Sequence, residues 1–203
     1  MVAVTETTIN GRDGRRAEYA YLRGARVEAT PDQSQALSDT CAAYLDCCNM
    51  VSRVVWEHKV LGQKALHQLI YRRLRDEYRV GAQMAQSSII RVIGNYRTIK
   101  EMRGSPWAAS QPNYHSSGYD LVWNRDYSVL KDGRLSINTL DGRIKLPVDW
   151  AHVPEEYRRG KFGTARLLNR NGKWLLLIPS TVELPEPSWA GCSQPPPDVP
   201  PAP

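Results

Sequence analysis

The residues of this sequence that could do chemistry are basic side chains with aromatic rings among them. The 203 residues include 27 Lys and Arg against 21 Asp and Glu, which gives a formal net charge of +6. Arginine forks match phosphate oxygens bidentately, and bases stack on aromatic rings, so this pattern favours a nucleic-acid partner. A solvated basic surface that binds no ligand is the alternative interpretation.

Helical spacing groups the first set of cations. Arg72, Arg75 and Arg79 are three and four residues apart, and a second run follows at intervals of three. Each run would form a charged stripe beside or opposite the apolar stripe of its helix. The candidate phosphate-binding residues of these helices are Arg72, Arg73, Arg75, Arg79, Arg97, Lys100 and Arg103.

A second set of cations lies in the strand-rich part that follows, with Tyr114, Tyr127, Tyr157 and Trp174 as aromatic neighbours. Small barrels often present such rings to single strands, but core packing is an equally good interpretation of each ring. The candidate nucleic-acid-binding residues here are Tyr114, His115, Lys131, Arg134, Arg143, Lys145, Arg158, Arg159, Lys161, Arg166 and Lys173.

Catalytic and metal-binding signatures are absent from the sequence. It has no H-E-x-x-H, G-x-S-x-G or phosphate-loop motif, and its histidines form no set with a nucleophile. The four cysteines, Cys41, Cys47, Cys48 and Cys192, include no C-x-x-C pair, and a structural zinc site usually has two. We expect no catalytic residue, no metal and no cofactor, and interpret the first three cysteines as small buried apolar side chains.

Three amphipathic helices are predicted over residues 31–105. Thr30 and Pro31 form a helix start, and the apolar residues between positions 37 and 55 follow at intervals of three and four. Gly62 and Gly81 separate this helix from two shorter ones over residues 63–78 and 82–103. Amphipathic helices joined by short links predict a small antiparallel bundle.

Short strands are predicted on either side of these helices. The alternating segments are residues 18–28, 119–123, 129–130, 134–139 and 143–147, followed by a hairpin of residues 161–169 and 173–182 that turns at Asn171-Gly172. Alternation along the last strand predicts a buried Trp174 and an exposed Lys173. Several short strands with close turns predict a small barrel.

The predicted fold is therefore α+β, a small OB-like β-barrel with a three-helix bundle inserted after its first strand. Its predicted parts are an N-terminal tail and first strand (1–30), the bundle (31–105), the rest of the barrel (106–183) and a disordered proline-rich tail (184–203). The longest apolar run, at positions 174–178, has five residues, too few for a membrane span. Since the polar N-terminus also lacks the apolar core of a signal peptide, we expect a cytoplasmic protein.

Five segments carry a family resemblance. They are residues 26–40, DLVWNRDYSVL at 120–130, LSINTLDGRIKLPV at 135–148, KFGTARLL at 161–168 and NGKWLLLIPSTVELPEP at 171–187. In this order they resemble the N-terminal half of TnpB, the OrfB-type protein of bacterial insertion sequences and a relative of compact type V CRISPR effectors. The resemblance covers roughly residues 18–187.

The resemblance implies a wedge β-barrel with an inserted recognition bundle, which grip a guide RNA and the guide–target heteroduplex through backbone shape and charge. The family continues into a RuvC nuclease with metal-binding carboxylates and a C-x-x-C zinc element, and this sequence lacks both. It also has His115 after Pro112-Asn113-Tyr114, where related proteins often have a basic residue.

The leading hypothesis is a nuclease-less, transposon-derived protein that binds guide RNA and target DNA. One alternative is the N-terminal half of a split or truncated RNA-guided endonuclease whose RuvC domain is a separate polypeptide. Another is an inert transposon remnant. A RuvC-coding frame downstream of the gene would favour the split enzyme.

The purified chain, supplied with Mg²⁺ and a guide RNA, should leave DNA uncut. The reason is that the sequence lacks the carboxylate set that holds the metal ions of phosphodiester cleavage. Gel analysis of a plasmid substrate measures this. Metal-dependent cleavage that a point mutation in this chain abolishes would contradict the expectation.

Overall fold

The computed structural model describes residues 7–10, 16–21, 25–115, 118–151, 153 and 155–183. Within these residues the protein is mixed α+β, with four helices and three antiparallel sheets, which confirms the predicted class. The predicted proline-rich tail at residues 184–203 lies outside the described residues.

Capping chemistry fixes the start of the first helix, α1 (Pro31–His58). Thr30 Oγ1 accepts the N–H of Gln33 at 3.3 Å, and Gln33 Oε1 accepts the N–H of Thr30 at 3.1 Å. This reciprocal pair satisfies two amide groups that a helix end leaves unbonded. The predicted apolar stripe is buried along its whole length: Leu37, Cys41, Tyr44, Cys48, Val51 and Val55.

Two further helices, α2 (Gln63–Tyr78) and α3 (Ala82–Arg103), have the predicted bounds and pack on each other and on α1. The apolar stripe of each helix faces the core. Ile99 is half-buried, and the other members are buried: Leu66, Ile70 and Leu74 on α2 and Ala85, Ile89, Val92 and Tyr96 on α3. A short helix, α4 (Glu155–Arg159), was not predicted from the sequence.

The described strands form three antiparallel sheets. The first sheet runs in the order β1 (Thr7–Asn10), β2 (Arg16–Tyr21), β12 (Pro179–Glu183), β9 (Lys161–Phe162). The second runs in the order β4 (Gly118–Leu121), β10 (Ala165–Arg170), β11 (Lys173–Leu177), β3 (Ala25–Val27), β8 (Val148–Asp149). The third consists of β5 (Tyr127–Val129), β6 (Leu135–Thr139) and β7 (Gly142–Leu146).

Three segments predicted as single strands are each divided between two sheets. Residues 18–28 contribute to β2 and β3, residues 161–169 to β9 and β10, and residues 173–182 to β11 and β12. The three segments lie side by side in the same order in both sheets, as β2–β12–β9 in the first sheet and as β3–β11–β10 in the second. They therefore form a single three-stranded layer that bends from one sheet into the other. At the bend Gly163 donates its N–H to the carbonyl of Pro179 at 2.9 Å, and an added Cβ on Gly163 would lie 3.2 Å from the proline ring.

The helices follow β3, which is the second half of the segment predicted as the first strand. One further strand, β1, pairs with β2 in the part predicted as N-terminal tail and first strand. The pairings among the described strands leave the sheets open, so they do not close the predicted barrel.

Turn chemistry sets the register of two hairpins. Asn171 and Gly172 both have positive φ, 52° and 76°, so Arg170 pairs with Lys173 as the Asn-Gly signal predicts. In the hairpin of β6 and β7, Thr139 pairs with Gly142, so the two-residue loop is Leu140-Asp141, one residue before the Asp141-Gly142 pair that hairpin turns favour.

The helices and sheets share one hydrophobic core, and α1 is bonded to strands on two sides. The Trp174 indole N–H donates to Ser34 Oγ at 2.9 Å, joining α1 to the second sheet. Thr40 Oγ1 accepts the N–H of Leu140 at 3.2 Å, joining α1 to the third. None of the described helices combines the length and the apolar character that a membrane span requires.

Trp174→Ala should lower the free energy of unfolding by about 3–5 kcal/mol, the range for deleting a buried aromatic ring. Trp174 is 3% exposed and its neighbour Lys173 is exposed, as alternation predicts. Lys173→Ala should therefore change stability by less than about 0.5 kcal/mol. Urea denaturation of both variants measures this, and the opposite pairing of effects would mean that the two faces of β11 are reversed.

Candidate nucleic-acid interface

The net positive charge of the chain is concentrated on the helix pair α2–α3. Residues 63–103 contain nine Lys or Arg and three Asp or Glu, a net charge of +6 that equals that of the entire chain. The rest of the sequence is balanced, with 18 charges of each sign. Long-range attraction of a polyanion would therefore act mainly on this helix pair.

On α2 the predicted arginines lie away from the core. At about 100° per residue, Arg72 and Arg75 lie on the side of the helix opposite the buried Leu66 and Ile70. Both arginines are exposed, as is Arg79, which ends the helix in the left-handed conformation (φ 52°). None of the three forms an ion pair with a described residue, so their charges face solvent.

Arg73 differs from its three neighbours. Its Nε donates to Glu77 Oε1 at 3.0 Å, and both side chains are at least half exposed. The hydrogen bond to Glu77 raises the pKa of Arg73 above its usual value. An exposed pair of this kind adds little stability, but it gives Arg73 a carboxylate partner that a phosphate would have to replace.

On α3 the predicted Arg97, Lys100 and Arg103 are also exposed. With a rise of about 1.5 Å per residue, Lys100 lies roughly 27 Å along α3 from its first residue, Ala82. The link to α2, and with it Arg79, is at that first residue. The two sets of cations therefore lie toward opposite ends of the helix pair and do not converge on one pocket.

Strand register places a third group of cations on one face of the second sheet. Lys173 is opposite Arg170, and Arg26 is opposite Leu175, which makes Arg26 a diagonal neighbour of Lys173. All three cations are exposed. Sequence analysis missed Arg26 and Arg170. The Asn-Gly hairpin could have indicated Arg170, whereas Arg26 is identified only by the pairing of β3 with β11.

Four of the predicted cations in the strand region already have partners. Arg134 bonds Asp132 at 2.6 Å, Arg159 bonds Glu155, and Arg166 bonds Asp120 at 3.3 Å. Arg143 donates to Ser136 Oγ at 3.1 Å and to the carbonyl of Arg125. The remaining predicted cations of this region are exposed and form no ion pair with a described residue: Lys131, Lys145, Arg158, Lys161 and Lys173.

For each of the four aromatic rings the sequence left two interpretations open, base stacking and core packing, and the structure shows most of them packed. Tyr127 and Trp174 are buried, and Tyr114 and Tyr157 are half-buried. The backbone of Tyr114 is held by Asn49 of α1, with N···O distances of 2.7 and 3.1 Å. Burial raises the pKa of the Tyr114 hydroxyl well above its usual value. His115, the next residue, is exposed.

A half-buried carboxylate joins the helices to the second sheet. Asp120 accepts hydrogen bonds from the Tyr44 hydroxyl at 3.0 Å, from Arg91 at 2.7 Å and from Arg166 at 3.3 Å. These four residues lie on β4, α1, α3 and β10. Asp120 therefore positions Arg91, which sequence analysis did not single out, and neutralises part of the charge of Arg166.

The cysteines confirm their predicted structural interpretation where they are described. Cys41, Cys47 and Cys48 are buried, and burial raises the pKa of each thiol to about 12. Cys192 lies outside the described residues. Over the described part of the chain, no group of His, Cys, Asp and Glu is arranged to hold a metal ion.

No protein-family model matches the sequence, and no curated protein matches it.

Asp120→Ala should lower the free energy of unfolding by about 2–4 kcal/mol, because it leaves two half-buried arginines without their shared acceptor. Glu77→Ala is the matched control. It removes the carboxylate from an arginine pair that is at least half exposed and should cost less than about 0.5 kcal/mol. Chemical denaturation distinguishes the two, and equal losses would mean that Asp120 is only a surface charge.

Proposed function

We propose that this protein binds the sugar–phosphate backbone of structured RNA or of an RNA–DNA duplex along the helix pair α2–α3. The supporting observation is that this pair carries a net charge of +6 while the rest of the chain is balanced. Under this proposal the protein acts as a TnpB-like wedge and recognition region, with guide RNA and target DNA as its partners.

The chemistry of the side chains supports a backbone contact rather than base readout. Arg72, Arg75 and Arg79 are exposed, and their forks can bind phosphate oxygens bidentately. Contacts of this kind orient a duplex but carry no sequence information. Sequence would then be read by base pairing with the guide, as in RNA-guided systems.

The proposal extends to a wedge-like barrel and a recognition bundle. The same three segments pass in one order through two sheets, which is how strongly bent strands of small barrels are arranged. The helices α1, α2 and α3 pack on one another, and α1 and α3 also pack on β4, which supports a single body that could hold one face of a duplex.

The variant Arg72→Gln/Arg75→Gln/Arg79→Gln should weaken binding to an RNA–DNA hybrid of about 20 base pairs. It should also lower the slope of log K against log salt by about 2–3, because each lost phosphate contact removes about 0.9 from the slope. Fluorescence anisotropy over a range of salt concentrations measures both quantities.

A second triple variant controls for net charge. Arg73→Gln/Arg134→Gln/Arg159→Gln removes the same three charges from arginines that already pair with Glu77, Asp132 and Glu155. It should change affinity and salt slope much less. Equal effects of the two triples, or an affinity that does not depend on salt, would contradict the proposed interface.

A further inference from the structure

A cavity of about 420 Å³ lies between the third sheet and the segment that leads from α4 into β9. Trp123, Trp150 and Phe162 contribute its aromatic lining, and Arg158 and Lys161 contribute its charge. The volume is within the range of about 300–1,000 Å³ that is usual for small-ligand sites. It is also distant in sequence from α2 and α3, which carry the proposed duplex contacts.

Two of the aromatic residues are held in place by contacts of their own. The Trp123 ring lies edge-on to Tyr127 and to Phe162, with centroids 5.0 Å apart in both cases. The Trp150 indole N–H donates to the carbonyl of Gly133 at 2.7 Å. Both tryptophans are only half-buried, so fixed aromatic surface remains accessible in a concave site.

The charge at this cavity has one sign. Arg158 and Lys161 are exposed and form no ion pair with a described residue, and no Asp or Glu is among the described residues that line the cavity. The adjacent Arg159 instead bonds Glu155. Of the two neighbouring arginines, only Arg158 therefore presents an unneutralised charge to the cavity.

We propose that this cavity binds one unpaired base of a single-stranded nucleic acid, stacked on Trp123 or Trp150, with the flanking phosphates bound by Arg158 and Lys161. Every base has a face that stacks on an aromatic ring, and a cationic rim tracks the backbone on either side. An apolar peptide segment would use the rings but has no need of two cations. The inference rests on the proposed nucleic-acid function and assigns it a second, separate surface.

The probe is a fluorescein-labelled uridine hexanucleotide, compared with an abasic hexamer that carries the same phosphates. The wild-type chain should bind the uridine hexamer more tightly, by about five- to hundredfold if one base stacks. Equal affinity for the two hexamers, or no binding of the uridine hexamer, would overturn the proposal.

Charge variants test the phosphate contacts without touching the rings. Arg158→Gln/Lys161→Gln should lower the salt slope for the uridine hexamer by about 1.4, because single strands lose about 0.7 per contact. Arg53→Gln/Lys59→Gln removes the same charge at exposed positions that lie outside both the cavity and the candidate interface, and it should leave the slope unchanged. Equal effects of the two double variants would overturn the assignment of these cations.

Photocrosslinking gives a readout that does not depend on a folded variant. A hexamer that contains 4-thiouridine should crosslink to the wild-type protein at Trp123 or Trp150, as mapped by mass spectrometry of its peptides. Adducts confined to other residues would overturn the proposed base site.

The RNA–DNA hybrid is measured in parallel with the hexamer, so that the two proposals fail separately. If the hybrid does not bind but the hexamer does, the α2–α3 interface is wrong and the cavity stands. If the hybrid binds and the hexamer does not, the cavity proposal is wrong and the duplex interface stands.

Discussion

The carboxylate of Asp120 is the constraint on which the relation between helices and sheets depends. It sits on β4 and is shared by a tyrosine of α1, an arginine of α3 and an arginine of β10. A charge that is partly removed from water is costly when it has no partner. The hydrogen bonds to Asp120 therefore favour the one arrangement of helices and sheets in which all three partners reach the carboxylate. The helix pair that carries the net charge is thereby held in a fixed position relative to the second sheet.

The helices could be predicted from the sequence almost to the residue, because the signals that define them are local. Thr30 and Gln33 cap α1 through side chains three residues apart, and Gly62 and Gly81 immediately precede α2 and α3. Apolar spacing then identified the buried faces. A local signal of this kind needs no knowledge of which other segments lie nearby.

The sheets were harder to predict, because their defining features depend on partners distant in sequence. Within residues 173–182 the one local signal of a break is Pro179, which has no N–H to donate to a neighbouring strand. That the chain bends there into another sheet depends on a distant partner, because Gly163 bonds the Pro179 carbonyl. The candidate site shows the same division. The exposed arginines of α2 could be predicted from helical spacing. The position of Arg26 beside Lys173 could not, because it depends on the pairing of β3 with β11. The ion pairs of Arg134, Arg159 and Arg166 could not be predicted either, because they depend on side-chain conformations.

A cation near the C-terminus of a helix can stabilise that helix without binding any ligand. This effect distinguishes the exposed cations of α2 and α3 from one another. Arg75, Lys100 and Arg103 lie in the last turns of their helices, where positive charge interacts favourably with the carbonyl ends by about 0.3–1 kcal/mol. Arg72 lies outside the last turn of α2, faces away from the core and has no acidic partner among the described residues. The interaction with the carbonyl end of the helix therefore does not account for Arg72, and under the proposed function its charge would contribute a phosphate contact.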